Sequence, residues 1–551
     1  MKLEEILEGL DPEQQEAVTA IRGPVCVIAG AGTGKTRVIT HRIAYAVAAG
    51  VTDQSKTLAL TFTARAAGEM RARLRALGVS NAAARTFHAA ALKQLMYFWP
   101  YSFGGAFPKL LTSKAGFMSE AMGRSDTFLA PGATTLREIS SEIEWAKAGE
   151  FAPDQYAESA IAASRSLRIP NGKSDRENFA EIAKVYDAYE TLKRQERVID
   201  FEDVLLLTVG MLEEDRAVCE RIRDQYRYFT VDEYQDVSPL QQRLLNLWLG
   251  NRNDICVVGD AAQTIYSFAG ATSSFLLGFT GRFPDAKVVK LTRGYRSTPE
   301  IIQMANRVLS ESATHGDQQL VSMNTHGANF ELQTFTTSAG EAAHVGKRIT
   351  ELNLTESSVA ILARTNQQLD IFERELSSRK IESQLKNAER FFDRVDVRDA
   401  MKVIRSASVL PNDVNWLRDL ESVLRPFGEA DYIRALMSLA RTMFTDGAPS
   451  LRAYLRELED RAEQNNPPAL PGVVLSTLHA AKGLEWDHVF LVGVNDGTLP
   501  LTVKDGSQPS PSLLEEERRL FYVGLTRAKR QVHISTSGEP SPFLSALGAA
   551  I

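Results

Sequence analysis

The sequence predicts an α/β protein made of two parallel-sheet cores, each interrupted by a mostly helical insertion. Apolar strand-like runs alternate with helical patterns in two separate regions, the signature of parallel sheets flanked by helices. A glycine-rich turn joins one of these runs directly to a helical pattern. The chain has 551 residues, more than one hydrophobic core can organise.

The first region includes the runs Val25–Ala29, Thr57–Thr61, Tyr228–Asp232 and Ile255–Gly259, and the second includes Lys287–Leu291, Val359–Ala363, Val473–Thr477 and His488–Val492. One insertion runs over about 89–184, with Ile139, Ile143 and Ala146 on a helical stripe. The other covers about 399–470, where Val403, Ile404, Leu417, Leu420, Leu424, Ile433 and Leu436 make an apolar helical face. It closes on the turn or linker signal Asn465-Asn466-Pro467-Pro468-Ala469-Leu470-Pro471-Gly472. The expected division is 1–88 with 185–285 for the first core and 286–398 with 471–551 for the second.

Composition narrows the class. Hydrophobic residues make up 44% and charged residues 24%, ordinary for a soluble globular protein. No apolar run reaches membrane-spanning length, and Met1-Lys2-Leu3-Glu4-Glu5 lacks a signal-peptide core, so the expected setting is cytoplasmic with no membrane partner. Three cysteines cannot build a disulfide framework; Cys26 and Cys256 sit in apolar runs as buried thiols. No CxxC or HxxxH pair points to a metal beyond nucleotide-bound Mg²⁺. The net charge of −6 does not exclude nucleic acid, because phosphate contacts need a local stripe, and Arg65, Arg71, Arg73 and Arg75 supply one.

The turn is Ala29-Gly30-Ala31-Gly32-Thr33-Gly34-Lys35-Thr36-Arg37. Glycines there let backbone N–H groups close on phosphate oxygens, Lys35 reaches the β/γ-phosphates, and the Thr36 hydroxyl suits Mg²⁺. A nucleoside triphosphate is the expected ligand. The run Tyr228–Val231 then delivers Asp232 and Glu233, one carboxylate for Mg²⁺ and one to polarise the attacking water. The run Val257-Val258-Gly259 delivers Asp260, Gln263, Tyr266 and Phe268. Gln263 is placed to sense the γ-phosphate. Tyr266 and Phe268 are open to two readings, stacking on bases or packing in the core.

In this order the motifs resemble the UvrD/Rep/PcrA family of superfamily 1A DNA helicases over nearly the whole chain. Leu10-Asp11-Pro12-Glu13-Gln14 is similar to the adenine-reading Q motif, with Gln14 as the reading amide. Thr61 to Met70 is similar to motif Ia, Thr86-Phe87-His88-Ala89 to motif Ib and Asp200 to Leu205 to the DFxDLL segment. Leu291 to Ser297 is similar to motif IV, Phe391 to Asp399 to motif IVa, Ser476 to Trp486 to motif V and Glu515 to Ala528 to motif VI.

The resemblance implies two RecA-like cores in a 1A/1B/2A/2B arrangement, ATP and Mg²⁺ as cofactors, and single-stranded DNA and its junctions with duplex as partners. It implies Tyr295 stacked on adenine, Glu485 at the nucleotide, and Arg296 and Arg527 as arginine fingers. Phe62, Thr63, Arg65, His88, Tyr266, Phe268 and His479 are the implied DNA contacts. Arg518 and Arg519 stay open to a solvated charge run. The implied activity is 3′→5′ translocation and unwinding in bacterial repair or replication, near the nucleoid and with repair-protein partners.

The chain departs from the family pattern at Ala64-Arg65, Ala261-Ala262, Phe268, Ala269, Thr292 and Gly294. Only about 70 residues separate Asp399 from Val473, and no Gly-rich turn lies among them, so a reduced 2B is expected. These departures leave room for a protein-displacing translocase that unwinds weakly, or a DNA-stimulated ATPase subunit. A helicase–nuclease is disfavoured because the chain stops soon after motif VI.

Overall fold

A computed structural model describes residues 2–111, 113–169, 171–312, 319–354, 356–385, 391–407, 415–428, 430–445, 450–463, 472–501 and 510–548. The linker signal at 465–471 lies outside them.

Two six-stranded sheets, parallel throughout, organise the chain. The first contains β1 (Val25–Ala29), β2 (Thr57–Thr61), β3 (Ala83–Thr86), β4 (Tyr228–Val231), β5 (Ile255–Gly259) and β6 (Lys287–Leu291), in the order β3-β2-β4-β5-β1-β6. The second contains β7 (Glu331–Thr334), β8 (Val359–Ala363), β9 (Ser383–Leu385), β10 (Val473–Thr477), β11 (Trp486–Leu491) and β12 (Ala528–Thr536), in the order β7-β12-β11-β8-β10-β9. β2, β5 and β8 are buried along their whole length, as parallel strands covered on both faces must be.

The strand Lys287–Leu291 corrects the sequence reading. It was expected to open the second core, but it pairs with β1, Val25 opposite Lys287 and Ala29 opposite Leu291. Its Lys287, Val288 and Lys290 are exposed, the pattern of an edge strand. An apolar run carries no label for the sheet it will join, so the crossing between cores falls after Leu291.

The order β4-β5-β1 decides the site. Three neighbouring strands end at the same edge, so the segments after them converge there, where ligands of open parallel sheets bind.

Both insertions are helical. In the first, helices Ala115–Arg124, Ala133–Ala148, Pro153–Ala162 and Asp175–Glu196 enclose Ile139, Tyr156, Phe179 and Tyr189. At its base Lys147 and Lys193 meet Glu190, Asp200 and Asp203 in a buried network at 2.6–2.9 Å. The three carboxylates are as close as metal ligands would be, but two ammonium groups already pair with all three. In the second insertion, helices Val395–Ala407, Trp416–Leu424, Asp431–Thr445 and Leu451–Glu463 close on Trp416, Leu420, Tyr454 and Leu458.

Candidate functional site

The glycine-rich turn leaves β1 and passes through Gly32 at φ +75° and Gly34 at φ +84° before the helix Lys35–Ala48 begins. Only glycine adopts that left-handed backbone without strain. Thr33 fixes the turn by donating to the Gly30 carbonyl at 2.9 Å. Gln14 is buried and already bonded at both ends of its amide: Nε2 donates to the Thr33 carbonyl at 3.0 Å, and Oε1 accepts from Asp11 N at 3.3 Å. One N–H and one lone pair remain for a base edge.

Asp232 and Glu233 follow β4. Burial, with the neighbouring Glu233, pushes the Asp232 carboxyl well above the usual range. Among the described residues Asp232 has no cationic partner; it accepts only from Glu233 N, at 2.9 Å. Burial also acts to raise Glu233, but Lys35 and Lys482 outweigh it and hold that carboxyl low. Lys35 Nζ stands 3.4 Å from Glu233 Oε2, and Gln235 donates to the same oxygen. Gln263 is buried and donates to Asp260 at 2.7 Å.

The second core closes over this edge. Tyr295 N donates to the Gly32 carbonyl at 2.9 Å, and its hydroxyl donates to Asp11 at 2.6 Å. A Cβ added at Gly32 would lie 2.7 Å from Arg296 Cβ, so Arg296 rests directly on the phosphate turn. Its guanidinium is held by Glu485 at 2.6 Å and by the Thr526 carbonyl at 3.3 Å. The other Glu485 oxygen pairs with Lys529 at 2.9 Å, so Glu485 holds cations on the second core. Arg527 is buried and donates to the carbonyls of Val523 and Leu484 at 3.0 and 3.2 Å. Burial, then the nearby Arg296, lowers it to about 9. Ala31, Ala262 and Ile265 share one apolar cluster with Leu478, Leu520 and Phe521, which spans the cleft.

Several cross-cleft groups escaped the sequence reading. Lys482 bonds both Asp236 and the Gln263 carbonyl. Arg519 donates to the Thr264 carbonyl at 2.8 Å, which closes the solvated reading for it, while Arg518 pairs with Glu311 and Glu515 on its own core. Both lie inside the motifs quoted above, but motif wording does not name a partner more than 200 residues away.

The DNA-contact candidates divide. Phe62 stacks on Tyr266 at 5.3 Å and 12° between ring planes. Tyr266 meets Phe268 edge-on at 6.0 Å, and Phe268 meets His479 at 5.6 Å. Phe62 and Phe268 are 40% and 45% exposed, enough ring face to take a base. The Tyr266 hydroxyl donates to the His479 carbonyl at 3.1 Å, so the ladder crosses both cores. Burial, then Arg364, Lys482 and Arg168, lowers His479 to about 3, so it is a neutral ring. Thr63 caps the helix Ala64–Ala76, and Arg65 pairs with Glu69 at 3.0 Å on the surface. His88 stands apart from the ladder, stacked on Phe201 at 4.2 Å with its Nε2 buried and unbonded.

Two parallel-sheet cores therefore meet over one glycine-rich turn, the first supplying the turn and the second Tyr295 and Arg296. A model of the UvrD/REP helicase N-terminal domain matches residues 10–284, and one of the UvrD-like helicase C-terminal domain matches 289–443 and 431–539. The ATP-dependent DNA helicase UvrD2 of Mycobacterium tuberculosis H37Rv is 43% identical over 568 residues, covering 98% of this chain and 80% of the relative. The ATP-dependent DNA helicases PcrA of Leuconostoc citreum and Bacillus subtilis are 28% and 26% identical, over 99% and 97% of this chain and 85% and 83% of theirs. This chain belongs to the UvrD/REP helicase family, and its class is ATP-dependent DNA helicase of the UvrD/PcrA type. Among the described residues no helix is long and apolar enough to cross a membrane.

Proposed function

We propose that the chain is an ATP-driven 3′→5′ single-stranded DNA translocase and helicase that works in DNA repair or replication. The observation that carries this is the split of both sites over the same two cores. Arg296 lies against the turn that leads into Lys35, and Arg527 is buried close to Arg296, across the cleft that the Tyr266–His479 bond also crosses. Closure then assembles the nucleotide site and sets the ladder in one movement.

In this reading Lys35 and the turn from Ala29 to Arg37 hold the phosphates. Glu233, kept ionised by Lys35, takes the proton of the attacking water, and Gln263 reads the γ-phosphate. The arginine fingers neutralise charge in the transition state, a role worth roughly 10³–10⁵ in rate. Thr36 and Asp232 would hold Mg²⁺. The fit rests on a buried Asp232 that makes no ion pair among the described residues and on a buried Thr61 hydroxyl without a hydrogen bond at the end of the adjacent β2. When bound, the ion would supply positive charge to offset that of the phosphates. Tyr295 stacks on adenine, and Phe62, Tyr266, Phe268 and His479 receive the single strand.

The division into 1A, 1B, 2A and a reduced 2B belongs to this proposal, with the border between cores moved past Leu291. The small second insertion favours one further reading, a protein-displacing translocase that unwinds weakly. Translocation on single strands labelled at either end, run beside unwinding of tailed duplexes, tests both. Arrival at the 5′ end with fast unwinding supports the helicase reading. Fast translocation with weak unwinding supports the second, and arrival at the 3′ end refutes the polarity.

A further inference from the structure

The first insertion touches the turn that carries Phe268. Arg165, in the segment after the helix Pro153–Ala162, donates from Nη2 to the Phe268 carbonyl at 3.3 Å. The same guanidinium chelates buried Glu142 at 2.5–3.0 Å and lies 4.4 Å over the Trp145 ring. Glu142 also accepts from the Tyr156 hydroxyl at 2.8 Å, which ties the contact into the insertion's core. From the other side, Gly270, at φ +87°, presses the turn Ser267–Ala269 against the insertion: a Cβ there would stand 2.8 Å from Ala148 Cβ.

Three residues beyond Arg165 is Arg168. Leu167 and Ile169 on either side of it are buried in the insertion, while Arg168 itself is exposed. Its backbone N–H is held by Glu138 at 3.0 Å, so the segment does not swing freely. Three cations make their charge felt at His479: Arg364, Lys482 and Arg168. Arg364 is paired with buried Glu517 at 2.8 Å and Lys482 with Asp236. Among the described residues the Arg168 side chain has no hydrogen bond or ion pair. It is an exposed cation held three residues along the chain from the bond between Arg165 and Phe268.

We propose that residues 165–168 form a strap from the insertion to the DNA channel, in which Arg165 fixes Phe268 in place and Arg168 binds a backbone phosphate of the single strand. This rests on the reading of the ladder as a DNA-binding face. The pairing is chemically economical: bases stack on the rings, which are neutral, and the phosphate beside them needs a cation that the ladder lacks. Arg165 is a positioning residue, since its own donors are spent on protein.

The test is binding of fluorescent oligo-dT to the full chain by anisotropy at several salt concentrations. Arg168→Ala alters an exposed side chain that has no hydrogen bond or ion pair among the described residues, so folding is unchanged, as read by thermal melting. It is expected to weaken binding about 3- to 10-fold at low salt and to flatten the log–log salt dependence by about 0.7, the value of one phosphate contact on a single strand. Arg168→Lys restores the slope. Arg165→Lys keeps a cation for Glu142 but gives up the bond to Phe268, so it weakens binding without changing the slope. Phe268→Ala is expected to weaken binding about 5-fold or more. Unchanged affinity and slope for Arg168→Ala, with Phe268→Ala still weakened, overturns the strap. If Phe268→Ala also binds normally, the reading of the ladder itself fails.

Discussion

Replacing Gly32 with alanine separates backbone strain from closure of the cleft. Gly32 lies at φ +75°, where an L-residue costs roughly 1–2 kcal/mol. That cost is the same whether the cleft is open or closed. The new Cβ also stands 2.7 Å from Arg296 Cβ, a contact at the root of the side chain that no rotamer relieves. An ordinary contact needs at least another half ångström or so, so the cores must part locally. Overpacking of this kind costs about 1–3 kcal/mol, which shifts the closed population about 5- to 150-fold.

Gly50→Ala is the control. Gly50 has φ +69° and nothing within 4 Å of its would-be Cβ, so it carries the strain alone. Both variants lose a similar amount of thermal stability. Only Gly32→Ala is expected to lose DNA-stimulated kcat, by about 5- to 150-fold, because the proposed fingers Arg296 and Arg527 act only in the closed cleft. A Gly32→Ala enzyme that turns over like Gly50→Ala would refute the claim that Arg296 meets the phosphate turn.

Lys35→Ala and Glu233→Ala are each expected to abolish ATP hydrolysis; steady-state turnover retained in both would remove the site assignment. Asp232 is held above its ordinary pKa by burial, so the folded chain without nucleotide binds a proton that the unfolded chain releases, and its stability falls as pH rises above the ordinary aspartate value of 3.8. Asp232→Asn should then gain stability over wild type at pH 8 but not at pH 4, as read by thermal melting without nucleotide; equal gains at both would contradict the burial argument. Glu233 runs the opposite way: its depressed pKa contributes stability above the ordinary glutamate range that is lost as pH falls through its folded value. Lys147→Met leaves buried carboxylates with one ammonium in place of two, and urea unfolding is expected to show a loss of about 3–5 kcal/mol.

The sequence by itself determined everything that depends on a short window of chain. The glycine-rich turn, the carboxylates after Val231 and the strand-and-helix alternation follow from local backbone freedom and apolar period, so motif order was enough to place the family. What only the tertiary structure decided are partnerships between distant segments. The strand Lys287–Leu291 reads like any other apolar run, and its place beside β1 depends on which edge was free. Motif wording offers Gln14 as a reading amide and does not show that the Thr33 carbonyl engages one of its N–H groups. His88 shares motif wording with the proposed DNA contacts, yet packing sets it against Phe201. Arg165 and Arg168 carry no motif; they matter because folding brings the first insertion to Phe268, about 100 residues further along the chain. A local pattern fixes which groups a segment can offer, and burial and approach across the cleft fix which of them are already taken.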